Sequence, residues 1–532
     1  MSDLGAHRAV VALSSRLVRR GALLLAAFGA AYVALEVISY EQTYPTAESR
    51  ARLADFQDNP AVRMLQGLAR DVDTTGGFVA WDGGWFLQTV AAVWVLLAVL
   101  RLTRADEESD RASLLLVAPL PARRVLVLQL LVAVAAGALY SVACVVVLVA
   151  WGVPPARAAL FGVGLACFVA TVAGLAGVAA QLVDVRRRAV GVASVLLAGC
   201  YLLRMVGNST DEWAWLRWST PYGWVDELQP YGDTSWTALG LLLLTPVALL
   251  TVACSLRGAR DTGGAVLTSG ARRTARTRLL GSSLAFTWRC GRGALLAWGA
   301  GLAAYAALIG SLLPTLVDHL VDDPELSKTL AGYGIDVTDV SDGMVGFMSS
   351  LFGLAFALYA CWRLGAARAE EESARLDHLL ARPLSRTRWV GGHVLVTGAG
   401  VLVLATTTGT SMWAGGRLAG AELGLGAAVG ATWSTVPVAL LLAAFALLLF
   451  ATVPRVTVLG SASVSAVAYL VPALGKGVGL PVWARDLSPF QHLAVVPAEP
   501  YAVTPGLLML GLAASVTAVG FVGLRRRDVT GA

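Results

Sequence analysis

The stretch Arg363–Arg388, RLGAARAEEESARLDHLLARPLSRTR, has a second copy 264 residues earlier in the chain. The two copies align without a gap, which indicates a tandem duplication. The matching residues are Glu107, Glu108, Ser109, Arg111, Leu115, Leu116, Pro119, Leu120 and Arg124 in the first copy and Glu371, Glu372, Ser373, Arg375, Leu379, Leu380, Pro383, Leu384 and Arg388 in the second.

Each copy has the spacing of a short amphipathic helix. Its two acids lie four and three residues before an arginine, and residues at those separations are neighbours on a helix surface. A Leu-Leu pair then supplies an apolar edge. The helix is expected to end at Pro119 in one copy and at Pro383 in the other, because proline removes a backbone donor and clashes with the preceding turn.

The rest of the chain has the composition of a polytopic membrane protein. Of its 532 residues, 57% are hydrophobic and 14% are charged, unlike a soluble globular chain. A helix needs about 20 apolar residues to cross a bilayer, and six such segments occur in each half, so the predicted fold is all-α. The segments are 21–40, 85–100, 125–151, 158–183, 189–207, 237–256, 293–313, 344–362, 389–412, 425–453, 458–474 and 505–524.

The distribution of charge predicts the topology. Most of the 41 Lys and Arg fall on one side when the amino terminus is placed in the cytoplasm, as the positive-inside rule requires. Both termini are then cytoplasmic, and the external loops are 41–84, 208–236, 314–343 and 475–504. The basic charge reflects this sidedness and gives no reason to invoke nucleic acid.

The repeat extends over both halves and predicts three regions. Trp215, Arg217 and Pro221 before the sixth span correspond to Trp483, Arg485 and Pro489 before the twelfth, and Arg257, Arg260 and Asp261 after the sixth correspond to Arg525, Arg527 and Asp528. The predicted regions are a six-span half at 1–260, a basic cytoplasmic linker at 261–291 and a second half at 292–532. An even number of spans makes the halves parallel, with a central interface available as a pathway.

Sequence motifs give no support for an enzyme. The chain has no phosphate-binding loop of the form G-x-x-x-x-G-K-[ST], no H-E-x-x-H and no G-x-S-x-G, so we expect no catalytic, cofactor or metal site. The six cysteines include no C-x-x-C pair and predict neither a disulfide framework nor a metal site.

Two charged residues fall within the predicted spans. Glu36 lies in the first and Arg204 in the fifth, and such groups are expensive in a membrane unless they serve a function. Glu36 is expected either to pair with Arg204 or to line a pathway, although it lacks a counterpart in the seventh span and so also fits a place near the outer interface. A titratable group in the membrane leaves a second function open, an ion-gradient-driven transporter with twelve spans.

The acidic-Ser-x-Arg, Leu-Leu, Pro-Leu, Arg string after the second span of each half resembles a segment of type-2 ABC exporter permeases. Twelve spans in duplicated halves resemble in particular the fused permeases of polyketide antibiotic exporters of the tetronasin type. That resemblance implies efflux of hydrophobic antibiotics or other drugs across the bacterial inner membrane. It also implies two copies of a separate ATPase subunit, which would bind ATP-Mg, so that this chain carries no cofactor.

In that family, the helix after the second span is a coupling helix that docks on the ATPase. The resemblance implies that the coupling residues of this chain are Glu107, Glu108, Arg111, Leu115, Leu116 and Pro119 in the first half and Glu371, Glu372, Arg375, Leu379, Leu380 and Pro383 in the second. The alternative is a helix that lies on lipid headgroups, where its acids would be repelled by an anionic leaflet. Because the two copies differ in sequence near their ends, they are also expected to contact the ATPase unequally.

Overall fold

The protein is described by a computed structural model over residues 3–54, 60–108, 120–261, 263–267, 281–322, 340–372, 376, 381, 383–475 and 480–527. Within these ranges all regular structure is helical and there is no strand, which confirms the all-α prediction. Twelve helices are long and apolar enough to cross a membrane. They divide equally between two compact units, residues 1–274 and 275–532.

The first unit contains the candidate spanning helices α1 to α6. They are α1 (Asp3–Thr43), α2 (Gly84–Leu102), α3 (Ala122–Ala150), α4 (Pro155–Leu182), α5 (Arg186–Ser209) and α6 (Trp236–Gly258). Shorter helices connect them: Ala47–Ala51, Pro60–Gln66, Thr75–Phe78, a π-helical turn at Val79–Gly83, Arg104–Glu108, a 3₁₀ helix at Asp211–Ser219, and Pro221–Leu228.

The second unit contains α7 to α12. They are α7 (Ser283–Asp322), α8 (Val340–Glu372), α9 (Arg386–Leu418), α10 (Leu425–Thr452, interrupted at Thr435), α11 (Thr457–Gly475) and α12 (Val503–Arg526). The short helices are Val482–Asp486 and the 3₁₀ turns Pro454–Val456 and Pro489–His492.

All twelve predicted spans coincide with these helices, and most helices run further than the apolar segments. The clearest case is α1, which starts at Asp3 and ends at Thr43, whereas the apolar run begins near residue 21. No proline occurs before Pro45, so nothing stops the helix from extending through the polar amino terminus. The proline then limits it, because the residue before a proline is biased away from helical geometry.

The same helix neighbours recur within each unit. In the first unit α1 packs along α3 and α4 packs along α6, and in the second unit α7 packs along α9 and α10 packs along α12. These are the pairings that a six-helix repeat would give. The predicted regions 1–260, 261–291 and 292–532 stay a prediction, since part of the linker lies outside the described residues.

Each unit has its own apolar core, in which a tyrosine packs against a glycine. Tyr140 on α3 is fully buried, and a Cβ on Gly29 of α1 would lie 2.3 Å from its ring. In the second unit a Cβ on Gly400 would lie 2.3 Å from the hydroxyl oxygen of the buried Tyr359. Glycine therefore allows the helices to approach closely at both places.

Candidate functional site

The first predicted coupling segment begins at a buried ion cluster centred on Glu107. Its carboxylate lies 2.5 Å from the Arg104 guanidinium and 2.7 Å from that of Arg260, with Arg257 at 3.7 Å. All four side chains are at least nine-tenths buried. A buried carboxylate stays charged when paired cations and hydrogen bonds compensate for lost water, and here three arginines supply them.

This cluster joins three parts of the first unit. Arg104 donates to Val183 O, just after α4, and to Gly264 O at 2.9 Å. Arg260, just after α6, donates from Nε to Gln181 Oε1 at 2.9 Å. Backbone bonds from Val266 and Leu267 to the end of α4 then hold the stretch 263–267 in place. Glu107 therefore ties the chain after α2 to the ends of α4 and α6.

The next acid, Glu108, has a different environment. Its side chain is exposed, and its carboxylate accepts a hydrogen bond from the backbone N–H of Arg186, the first residue of α5. A negative group is favourable there because the first N–H groups of a helix lack partners within the helix. Glu108 thus contacts α5 while remaining accessible.

The second unit repeats the arrangement with fewer partners. Glu371 pairs with Arg527, which follows α12 as Arg260 follows α6. Arg527 also donates to Phe450 O at 2.5 Å, and its guanidinium carbon lies 5.2 Å from the centre of the Phe450 ring. Its own backbone carbonyl accepts a bond of 2.9 Å from Arg386. Among the described residues, one arginine therefore forms an ion pair with Glu371, whereas three arginines do so with Glu107.

The outer acid repeats as well. Glu372 is exposed, like Glu108, and pairs with Arg368 one helical turn earlier. In both units, then, the first acid of the motif points into the protein and the second is accessible. Sequence spacing predicted a helical face for these acids but did not distinguish their burial.

A further acid precedes the motif in the second unit. Glu370 accepts a bond of 2.9 Å from Trp389 Nε1, and its Oε2 lies 3.4 Å from His393 Nε2. His393 is almost completely buried in α9. The contact with Glu370 joins α8 to α9.

Much of each predicted coupling segment lies outside the described residues. This applies to Arg111, Leu115, Leu116, Pro119, Arg375, Leu379 and Leu380, so the amphipathic helix and its end at a proline stay predictions. Pro383 is described and exposed. Leu120, which directly follows the first segment, is buried against Ala6 and Val10 of α1.

The second predicted feature, the pair of embedded charges, differs from expectation. Arg204 Nε donates to Asp226 Oδ2 at 2.6 Å, and its Nη atoms donate to Leu65 O and Gln66 O. Arg204 is therefore fully partnered without Glu36, and the expected pairing of the two was wrong. Asp226 was overlooked because it lies in a segment interpreted as an external loop.

Glu36 contacts another acid instead. Its carboxyl group is within hydrogen-bonding reach of Asp82 in the π-helical turn and of the Tyr32 hydroxyl. Gln66 Nε2 donates to Asp82 Oδ1 at 2.5 Å. A Cβ on Gly83 would lie 3.3 Å from Glu36 Cγ, so the glycine leaves room for this approach.

Ion pairs also join the two predicted external loops of the first unit. Glu227 is 3.0 Å from Arg70 and 2.6 Å from Arg217, while Arg63 is 2.7 Å from Asp211. The described residues of the loops 41–84 and 208–236 therefore form one layer against α2, α4 and α5. Sequence reasoning missed this layer because its partners lie more than 140 residues apart.

Twelve candidate spanning helices and polar networks at the ends of the helices define a multi-pass membrane protein. A family model described as Multidrug efflux system permease Rv1217c, C-terminal domain, matches residues 8–258 and 280–525. The multidrug efflux system permease protein Rv1217c of Mycobacterium tuberculosis (strain ATCC 25618 / H37Rv) is 30% identical over 497 residues, covering 93% of this chain and 89% of that protein. The chain belongs to this family of multidrug efflux permeases, and not to the tetronasin-type subfamily that the resemblance had suggested.

Proposed function

We propose that this chain is the membrane-spanning permease of an ATP-driven ABC exporter. Two copies of a separate ATPase subunit dock on the segments that follow α2 and α8, and those subunits bind ATP-Mg. The observation that carries this proposal is the shared plan at the start of both segments. A buried acid, Glu107 or Glu371, fixes the helix end, and an exposed acid, Glu108 or Glu372, is available to a partner.

In this proposal the two acids have different roles. Glu107 and Glu371 are positioning residues, since they are buried and act through the arginines that hold them. Glu108 and Glu372 contact the ATPase. A push from the docked ATPase is transmitted into the helices because Glu107 or Glu371 is bound to the chain that leaves α6 or α12.

Drugs are the proposed substrates, hydrophobic antibiotics among them. The support is the family, whose matched member is described as a multidrug efflux system permease. The bacterial inner membrane, with both termini in the cytoplasm, is the proposed location, and the charge distribution supports that orientation.

The test is co-purification of the full chain in detergent with any ABC ATPase encoded by a neighbouring gene. Wild type and the double variant Glu108→Ala, Glu372→Ala are compared for ATPase binding and ATP hydrolysis. We expect a stable complex in the wild type and at least tenfold weaker ATPase binding in the double variant. The variant Glu48→Ala is a control, because it removes an exposed acid and its ion pair with Arg52 in a predicted external loop and should bind normally. Absence of any ATPase complex would overturn the proposal.

One observation favours a second candidate, an ion-gradient-driven transporter. Glu36 lies within α1, with its carboxyl group near that of Asp82, and an ionisable side chain in a membrane-spanning helix is a candidate for ion coupling. Under this alternative Glu36→Gln abolishes transport even when ATP is supplied. Under the ATP-driven proposal the same variant changes transport less than threefold.

A further inference from the structure

A small cavity lies among the predicted external segments of the first unit. Its volume is about 60 Å³, and it is bounded by the segment before α2, by α2 and α4, and by the segment between α5 and α6. Every lining residue belongs to the first unit. By the 268-residue offset that matches Trp215 with Trp483, the lining acids Asp226 and Glu227 would fall at Ala494 and Val495. The second unit therefore does not repeat the lining.

Three polar atoms of lining residues have no hydrogen-bond partner in the described part of the chain. They are Gln88 Oε1, Asn208 Oδ1 and the Tyr231 hydroxyl oxygen. Gln88 is 3% exposed and Asn208 is completely buried. Buried polar groups are nearly always hydrogen-bonded, so these atoms indicate a missing partner.

The unpartnered atoms specify what that partner must offer. Amide oxygens only accept hydrogen bonds, so a partner for Gln88 and Asn208 must donate. The Asn208 amide is already oriented, because its Nδ2 donates to Asp226 Oδ2 at 3.2 Å. Burial raises the pKa of Tyr231, so its hydroxyl keeps its proton and accepts through oxygen.

The charges of the lining favour a cation. Three acids and one arginine line the cavity, and two of the acids, Asp226 and Glu227, are already paired with arginines. The third, Asp71, has no ion pair within 4 Å among the described residues. Its carboxylate lies against the backbone of Gly232, where a Cβ would come within 2.4 Å. Asp71 thus supplies a carboxylate that is not committed to an ion pair, although Arg70 and Arg157 lie in its electrostatic surroundings.

Aromatic rings complete the lining. Phe161 and Tyr231 have ring centres 6.2 Å apart, and Trp81 is held in place by a bond from its Nε1 to Gly67 O at 3.2 Å. The faces of aromatic rings attract organic cations. Acceptor oxygens, a carboxylate without an ion pair among the described residues and aromatic walls together match a protonated amine better than an anion or an uncharged apolar group.

We propose that this cavity binds the protonated amine of an organic cation. The inference deepens the proposed export function, on which its biological meaning rests: amine-bearing drugs are the substrate class, and the cavity is a subsite of the first half near the predicted external side. The positive group donates to Gln88 and Asn208 and faces Asp71, while the attached apolar part contacts the rings.

The test is calorimetric titration of the purified full chain in detergent with ethylammonium chloride. Tetraethylammonium chloride carries the same charge without N–H donors, and sodium chloride controls for ionic strength. We expect saturable binding of ethylammonium alone, weakened at least tenfold in Gln88→Leu. Gln129→Leu is the matched control, since it removes a buried glutamine of α3 outside the cavity and should bind as the wild type does.

A second, more conservative variant distinguishes a loss of binding from a loss of folding. Tyr231→Phe removes one oxygen while keeping the ring, and should weaken binding about threefold. Equal heats for ethylammonium, tetraethylammonium and sodium chloride would overturn the inference and leave a cavity filled by water, of which about four molecules would fit. Binding without ATP-dependent export would instead contradict only the proposed function.

Discussion

The predicted cytoplasmic ends of the two units are built on one plan but with different numbers of charges. Glu107 is held by Arg104, Arg257 and Arg260, whereas among the described residues Glu371 has an ion pair with Arg527 alone. In the first unit the cluster also fixes residues 263–267 against α4. Arg527 instead rests on the ring of Phe450. The arrangement that the two units share is thus stabilised by ion pairs in the first unit, and by one ion pair together with packing on an aromatic ring in the second.

This difference has a direct physical consequence. In the first unit the acid is the irreplaceable member, because three buried cations depend on it. In the second unit the acid and the arginine depend on each other about equally. Removal of the acid should therefore lower the free energy of unfolding more in the first unit, whereas removal of the arginine should lower it more in the second unit.

The largest effect is expected for removal of the acid. Glu107→Ala leaves three buried guanidinium groups without their anion and should lower the free energy of unfolding by about 3–5 kcal/mol. Glu371→Ala leaves one partly buried arginine that retains Phe450, and should cost about 1–3 kcal/mol. Thermal and denaturant unfolding of both variants in the same detergent checks this, and equal losses would break the comparison.

Removal of the arginine should reverse the order. Arg527→Gln leaves Glu371 buried without its cation and should cost about 1.5–3 kcal/mol. Arg260→Gln leaves Glu107 beside Arg104 and Arg257 and should cost about 1 kcal/mol. The same unfolding measurement applies. A larger loss for Arg260→Gln would show that its bonds to Gln181 and Gly264 matter more than the charge.

Substitution of a core glycine should lower the free energy of unfolding by a similar amount in both units. Gly29→Ala and Gly400→Ala each push a methyl group against a buried tyrosine, and each should cost about 1–3 kcal/mol through overpacking. Removing the tyrosine hydroxyl with Tyr359→Phe should restore part of the loss in Gly400→Ala. The difference between units is then confined to the charged ends, and strongly unequal glycine variants would contradict that conclusion.

The smallest effect concerns the pH dependence of the external layer. Burial and the nearby Asp73 carboxylate raise the pKa of Asp71. An acid whose pKa is raised by folding destabilises the folded state as pH rises from its unfolded value through its folded value. Asp71→Asn should remove this loss, which is below about 1 kcal/mol because solvent screens the carboxylate. Asparagine also tolerates the left-handed backbone at this position, where φ is 54°.

Asp211 provides a control of opposite sign for that measurement. A hydrogen bond from Arg63 lowers the pKa of Asp211, so this carboxylate contributes stability above its unfolded pKa and loses it as pH falls through the folded value. Asp211→Asn should therefore reduce stability at neutral pH, whereas Asp71→Asn should increase it. Changes of the same sign in both variants would contradict this account of the layer.

The spans were predictable from sequence because a run of apolar residues is a local signal. The repeat matched Arg260 with Arg527 and Glu107 with Glu371, but it did not show that each arginine binds the acid of its own half. Glu107 and Arg260 are separated by 153 residues, and nothing in the spacing of either indicates the other. The false pairing of Glu36 with Arg204 has the same origin, since their real partners Asp82 and Asp226 were counted among external loops.

The most direct test of the ATP-driven permease is drug accumulation in inverted membrane vesicles that contain the chain and its ATPase. Accumulation is measured with ATP present while an uncoupler dissipates the proton gradient, and again with a gradient but without ATP. The account predicts uptake that requires ATP and the ATPase subunit and that survives the uncoupler. Uptake driven by the gradient without ATP, and lost in Glu36→Gln, would contradict it.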